Sequence, residues 1–482
     1  MRIPLEEVEF SKLSSVDIGR VFWWRAGLFR GISVEHTSDV RRLFECGLID
    51  SLVEKGLLVR SSITDHELDG YGLVLEHEVI EVVTYPREWT FSMLRDAALL
   101  VLDVNETAIQ YGYQTKDCHS YNVLFKHERP VYVDIGSFQR VEVADSVLFS
   151  FHEFMRSYYY PLQIWRTAGS YLGRCAVTTA SSLLPAEAYL KYRWPVFRCF
   201  GDNVLAKVTR VWHAAMLIQF YDAGRLQARA PRWLAPALNL IRKHNPFSRS
   251  ARIPNLRKKL NRLTQPREDT KWSGYQDAFK QQTSPADFSR FDYVVTKISE
   301  IGARSVLEIA GNQGALCRQL AKSKCVDRVI CTDADSSALD KGYQLARQEK
   351  GKVTFAVLNP FDYESSWIET PTERRLGAEV VVALAVTHHL ALSNNVPIDI
   401  VFDAFARFSD QYLLVEFMPL GLYNGVAASP LPDWYKEAWF STAFERKYQL
   451  IERIQLEENR ILYIGKKHLV THQLTDRMRK SA

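Results

Sequence analysis

The chain has 482 residues, 47% hydrophobic and 24% charged, with a formal net charge of +5. That balance excludes a disordered or fibrous chain and is enough for two or three hydrophobic cores. No apolar stretch reaches the roughly twenty residues of a bilayer span. The seven cysteines are odd in number and scattered, which argues against a disulfide framework. Together with an N-terminus, Met1-Arg2-Ile3-Pro4 then Glu6, Glu7 and Glu9, that lacks a secretory apolar core, they make a cytoplasmic location the expectation.

In chain order, the first readable elements are a strand over Leu73 to Val83 and a helix over Met93 to Tyr111. Next come Thr115-Lys116-Asp117-Cys118-His119-Ser120-Tyr121-Asn122-Val123, a turn at His127-Glu128-Arg129-Pro130, and Val131-Tyr132-Val133-Asp134-Ile135-Gly136. An Asp with an Asn five positions on, then a short hairpin ending in Asp-x-Gly, resembles the catalytic and metal-binding loops of protein kinases and their small-molecule relatives. The resemblance implies an α+β kinase-like domain over residues 1–224, with Asp117 orienting an acceptor hydroxyl and Asn122 and Asp134 holding magnesium against ATP. No Gly-x-Gly-x-x-Gly loop precedes it, and only Lys12 and Lys55 stand upstream of Lys116 as phosphate lysines, so the upper lobe is expected to be reduced. The bland reading of the three polar residues is a hydrogen-bonded hairpin.

Residues 225–270 read as a basic, proline-containing linker: Arg225 to Arg267 holds twelve Lys or Arg and no acid. Such a run suits a solvated connector or, through 225–267, peripheral contact with an anionic membrane. The aromatic stretch Tyr158-Tyr159-Tyr160, with Trp165, adds slightly to the lipid option. Within the basic run only Trp233 and Phe247 are available for base stacking, which argues against nucleic acid.

From 271 to 482, buried apolar runs alternate with helical patterns, as a doubly wound, mostly parallel sheet requires. The first run, Val306-Leu307-Glu308-Ile309, opens into Ala310-Gly311-Asn312-Gln313-Gly314, and the second ends at Asp333. This pairing resembles motif I and the ribose acid of class I S-adenosylmethionine-dependent methyltransferases, with Ala310 and Asn312 standing where the motif has glycines. The likeness implies a Rossmann-like domain in which Glu308 supports the loop. Ala310, Gly311, Asn312 and Gly314 would approach S-adenosyl-L-methionine, and Asp333 would take its ribose hydroxyls. After the third run, Val353 to Leu358, either Asn359 or Asp362 could meet the adenine amine, and both also suit a turn. The fourth, Val380 to Val386, ends at His388 and His389, which could accept a proton from an acceptor or simply cap and pack. The fifth, Gln411 to Val415, ends in Glu416, which reads as an ion-pair or cap acid.

The order of segments, with Trp272-Ser273-Gly274-Tyr275 among them, resembles a NoeA-like family of nodulation proteins. That resemblance implies methylation of a glycan or glycolipid precursor. The expected function is S-adenosylmethionine-dependent methyl transfer to a small-molecule or glycan acceptor. A bifunctional kinase-methyltransferase and a non-catalytic scaffold are the alternatives. No Cys-x-x-Cys or His-Glu-x-x-His pattern calls for a metal. Oligomeric state is not readable.

Overall fold

The computed structural model describes residues 1–11, 17–141, 146–177, 183–217, 246–266, 270, 272, 285–362, 370–423 and 430–468. The chain divides into two compact units, Met1–Glu268 and Asp269–Ala482.

Unit 1 opens on β1 (Glu9–Phe10), β2 (Gly19–Trp24) and β3 (Gly27–Ile32), continues through helices α1 (Thr37–Glu45) and α2 (Leu48–Glu54), and returns in β4 (Ser61–Ile63) and β5 (Leu73–His77). These strands form one antiparallel sheet in the order β1-β2-β3-β5-β4. This is a five-stranded layer rather than the reduced lobe expected. Phe22, Trp24, Phe29 and Val74 build its core with Ile3 and Leu68.

Below it runs α3 (Phe91–Gln110), started by Thr90, whose hydroxyl accepts from Met93 N at 3.4 Å. Its buried residues surround the axis, as in a core helix rather than a surface one. Two short antiparallel pairs follow: β6 (Tyr113–Thr115) with β9 (Phe138–Arg140), and β7 (Val123–Lys126) with β8 (Arg129–Tyr132). The loops between them carry Asp117, Asn122 and Asp134. The unit continues in α4 (Phe151–Phe154), α5 (Tyr160–Ala176), α6 (Ala186–Arg193), α7 (Asp202–Met216) and α8 (Ile253–Asn261).

Helix α8 corrects the expected linker. Ile253, Leu256 and Leu260 are buried, and Arg257 pairs with Asp103 at 2.6 Å and Glu106 at 2.8 Å on α3. Residues 246–263 are therefore packed into unit 1, because their apolar residues recur at helical spacing beneath the charges. The segment 225–245 lies outside the described residues.

Unit 2 begins with α9 (Pro285–Ile301). It then runs β10 (Ser305–Ile309), α10 (Ala315–Leu320), β11 (Arg328–Asp333), α11 (Ser336–Glu349), β12 (Val353–Val357), α12 (Thr372–Leu376), β13 (Ala378–Ala383), α13 (Ile398–Phe408) and β14 (Ser409–Phe417), and ends in α14 (Glu437–Glu445), β15 (Tyr448–Glu457) and β16 (Arg460–Lys467). The sheet order is β12-β11-β10-β13-β14-β16-β15. The first five strands pair in parallel, and β16 and β15 close one edge antiparallel. Every residue of β10 and β12 is buried, as expected of strands covered on both faces. The order reverses between β10 and β13, and the carboxyl ends there are where such sheets bind ligands.

Candidate functional site

The loop after β10 makes a sharp series of turns. Ala310, Asn312 and Gly314 all take left-handed backbone, with φ of 59°, 54° and 66°. Glycine would be at ease in all three places, Asn tolerates this region, and Ala carries a cost of about 1 kcal/mol or more. Gly311 answers a different need, close approach: a Cβ there would lie 2.8 Å from Cys331 Sγ and 2.9 Å from Glu308 Oε2. Its amide bonds Thr332 O at 2.9 Å, and Gly314 N bonds Gly311 O at 2.8 Å, so the loop is tied to β11 and to itself.

Asp333 ends β11 and faces that loop. Its Oδ2 accepts from Asn312 N at 2.8 Å and its Oδ1 from Asp335 N at 2.8 Å. Burial outweighs these bonds and pushes the carboxyl up to about 6. Beneath the loop, Glu308 is buried and rises to about 7, chiefly through desolvation. Cys317 Sγ donates to Glu308 Oε2 at 3.0 Å, and burial keeps that thiol well above its ordinary range. Glu308, Cys317 and Cys331 have ligand-type atoms within 4.8 Å of one another, but a protonated thiol donating to a carboxyl is a packed core contact.

Two buried groups at this rim were not legible as site residues. Arg290, on α9, is buried, and its Nε and Nη1 have no hydrogen-bond partner among the described residues; Glu416 Oε1 is 4.0 Å from Nη1. Glu416 is fully buried, with Oε2 held by Ala385 N at 2.8 Å and Arg460 Nη1 at 3.0 Å. The ion-pair reading of Glu416 thus describes one of its oxygens. Asn312 Oδ1 is another buried atom without a hydrogen-bond partner among the described residues. Buried polar groups are normally satisfied, so three such residues around one loop fit a polar ligand.

Two histidines stand just after the end of β13. The rings of His388 and His389 lie 4.0 Å apart, and Trp272 meets His389 edge-on at 4.5 Å. Asn312 Nδ2 donates to Trp272 O at 2.9 Å, so the loop, Trp272 and His389 stand together. Ser273, Gly274 and Tyr275 lie outside the described residues. Asn359 is placed differently: its amide donates to Asp362 Oδ1 at 2.9 Å and its Oδ1 accepts from Phe361 N at 3.3 Å, which is a turn.

In unit 1, Asp117, Asn122 and Asp134 come to one place. Asn122 Nδ2 donates to Asp117 Oδ1 at 2.7 Å, and Gly136 N donates to Asp134 Oδ1 at 3.0 Å. Burial, then the charges of Asp134 and Glu153, push Asp117 up to about 6. Among the described residues, the cation paired with Asp134 is Arg30: its Nη1 donates to Asp134 Oδ1 at 2.7 Å. Gly136 permits this approach, since a Cβ there would lie 2.9 Å from Arg30 Nη2. Lys55 instead donates to Thr107 Oγ1 at 3.2 Å, and Lys12 lies outside the described residues. A lone Arg within the apolar strand Gly27-Leu28-Phe29-Arg30-Gly31-Ile32 was the signal available in the sequence.

No family model matches the chain. The nodulation protein NoeA of Rhizobium meliloti (strain 1021) is 25% identical over 428 residues, covering 83% of each chain. Among solved structures, the N-methyltransferase NodS from Bradyrhizobium japonicum WM9 is 15% identical, covering 38% of this chain and 97% of its own at a TM-score of 0.29. A S-adenosylmethionine-dependent methyltransferase from Clostridium acetobutylicum ATCC 824 is 11% identical, covering 37% and 90% at 0.30. Scores this low add nothing to the geometry.

Proposed function

We propose that unit 2 binds S-adenosyl-L-methionine and transfers its methyl group to an acceptor held at the rim formed by Trp272 and His389. The observation that carries this is the left-handed loop of Ala310, Asn312 and Gly314 bonded to the Asp333 carboxylate at the end of the neighbouring strand β11, beside the point where the strand order reverses. Bound there, the cofactor would supply an electrophilic sulfonium methyl. Asp333 would accept the ribose hydroxyls, Gly311 would let the loop backbone come close, and Arg290 offers guanidinium donors suited to a carboxylate. Such a transfer needs alignment more than acid or base, so the chain's main task is to hold donor and acceptor in line. His389, the less buried of the two histidines, would take a proton from an acceptor hydroxyl or amine. The Trp272 ring is a surface on which a sugar can stack, in keeping with a glycan or glycolipid acceptor.

Calorimetric titration with S-adenosylmethionine tests this. A charge-assisted hydrogen bond is worth about 1.5 to 3 kcal/mol, so Asp333→Ala should weaken binding about tenfold to a hundredfold. Unchanged affinity in a folded variant would sink the assignment, and absence of binding to wild type would favour a scaffold.

A second reading, a nucleotide site in unit 1, is favoured by the convergence of Asp117, Asn122 and Asp134. Magnesium would have to displace Arg30 from Asp134 Oδ1. Saturable magnesium-ATP binding that Asp134→Ala abolishes would support it. Without such binding, unit 1 would only position an acceptor or partner.

A further inference from the structure

Strand β3 carries Arg30 into the interior of unit 1. Its side chain is 5% exposed, yet among the described residues the guanidinium makes one hydrogen bond, Nη1 to Asp134 Oδ1 at 2.7 Å. Nε is buried with no hydrogen-bond partner among them. A guanidinium is a rigid fork of N–H donors that stays charged, so most of this fork is unused. Buried donors are normally satisfied, and such a group fits a ligand that brings acceptor oxygens.

The neighbouring acids present the opposite need. Asp117 Oδ1 accepts from Asn122 Nδ2 at 2.7 Å, and Asp134 Oδ1 accepts from Gly136 N at 3.0 Å as well as from Arg30. The second oxygen of each carboxylate accepts no hydrogen bond among the described residues, and both side chains are half-buried. Open donors and open acceptors therefore meet at one place.

That combination selects the ligand. Magnesium would have to part Arg30 from Asp134 and leave a buried cation without its counter-ion, which is strongly unfavourable. Without magnesium, a phosphate would bring further negative charge to Asp117, Asp134 and Glu153, which one guanidinium does not balance. A neutral hydroxyl suits both sides, because it accepts from a guanidinium and donates to a carboxylate. Several hydroxyls on one ring meet both needs at once, which is the chemistry of a sugar.

We propose that unit 1 binds a neutral sugar without a metal ion. Arg30 donates to the sugar's oxygens, and Asp117 and Asp134 accept hydrogen bonds from its hydroxyls. This departs from the nucleotide reading of the same residues, and it does not depend on cofactor binding by unit 2.

The test is saturation-transfer difference NMR on the full chain in EDTA, with glucose, galactose, mannose, fucose and N-acetylglucosamine as probes. At least one sugar should give saturable signals that added magnesium chloride leaves unchanged. Asp117→Asn keeps the side chain's shape and its bond from Asn122 but puts a donor where the open acceptor was. Arg30→Lys keeps a cation beside Asp134 but loses the fork. Each should weaken that sugar at least about tenfold, the effect of losing one hydrogen bond to a charged group. Melting temperatures close to wild type separate lost binding from lost folding, and either variant alone decides the matter if the other unfolds. Silence from every sugar overturns the proposal, as does a signal that the folded variants keep, since the sugar would then sit elsewhere. Binding that requires magnesium, or saturable magnesium-ATP binding lost in Asp134→Ala, also overturns it, because the nucleotide reading would then describe the site.

Discussion

At the scale of single residues, unit 2 stores two acids in an unfavourable place. Glu308 and Asp333 are raised to about 7 and about 6, from ordinary carboxylate values, mainly by burial. A raised acid binds its proton more tightly folded than unfolded. Between the unfolded values near 4 and these folded ones the native state therefore holds more protons, and stability falls as pH rises through that window. A tenfold difference in proton affinity between the two states corresponds to about 1.4 kcal/mol. Thermal melts of the ligand-free protein from pH 5 to pH 8 should show a declining melting temperature, and Glu308→Gln should flatten the decline. An equally steep decline in the variant would locate the effect elsewhere. Glu308, Gly311 and Asp333 were readable because strand, turn and acid are close in sequence. Arg290 and Arg30 were not: Arg30 reaches Asp134 across 104 positions, and only the fold brings such residues together.

At the scale of elements, helix α11 sets the loop. Gly342 on α11 lies against it, and an added Cβ would come within 2.6 Å of Gln313 O. Backbone atoms cannot swing aside as a side chain can, so Gly342→Val should push α11 away or distort the loop, with a stability loss of about 1 to 3 kcal/mol. A matching fall in S-adenosylmethionine affinity, read by titration, would show that the loop itself has moved; unchanged affinity would show that α11 gives way. The parallel strands were legible because strands buried on both faces are continuous apolar runs. The hairpin of β15 and β16 was not, since β15 buries little beyond Tyr448 and alternates with charges. Within the linker expected over 225–270, the helix-like spacing of Leu256 and Leu260 could be read, but their burial in α8 could not, because the cations between them point to solvent as readily as to a partner.

At the scale of the whole molecule, two units in one chain should melt as two transitions if each has its own core. A ligand that binds only the native state raises the melting temperature of the unit that holds it. Scanning calorimetry with S-adenosylmethionine should therefore move one transition and leave the other, and magnesium-ATP should move the other only if unit 1 holds nucleotide. A single transition shifted by either ligand would show that the units unfold as one.

Among the described residues, β15 is the antiparallel edge strand of the unit 2 sheet. Leu450 and Ile451 are exposed on it, and its backbone edge away from β16 invites another extended chain to add to the sheet. Glu452 and Arg453 sit in the same strand, engaged by Lys297 at 3.0 Å and by Glu437. Fixed charges at a sheet border repel an incoming strand that has no matching partners. These two pairs thus act as guards against fibril-like stacking, and removing them together would trade a small change in stability for a large gain in aggregation.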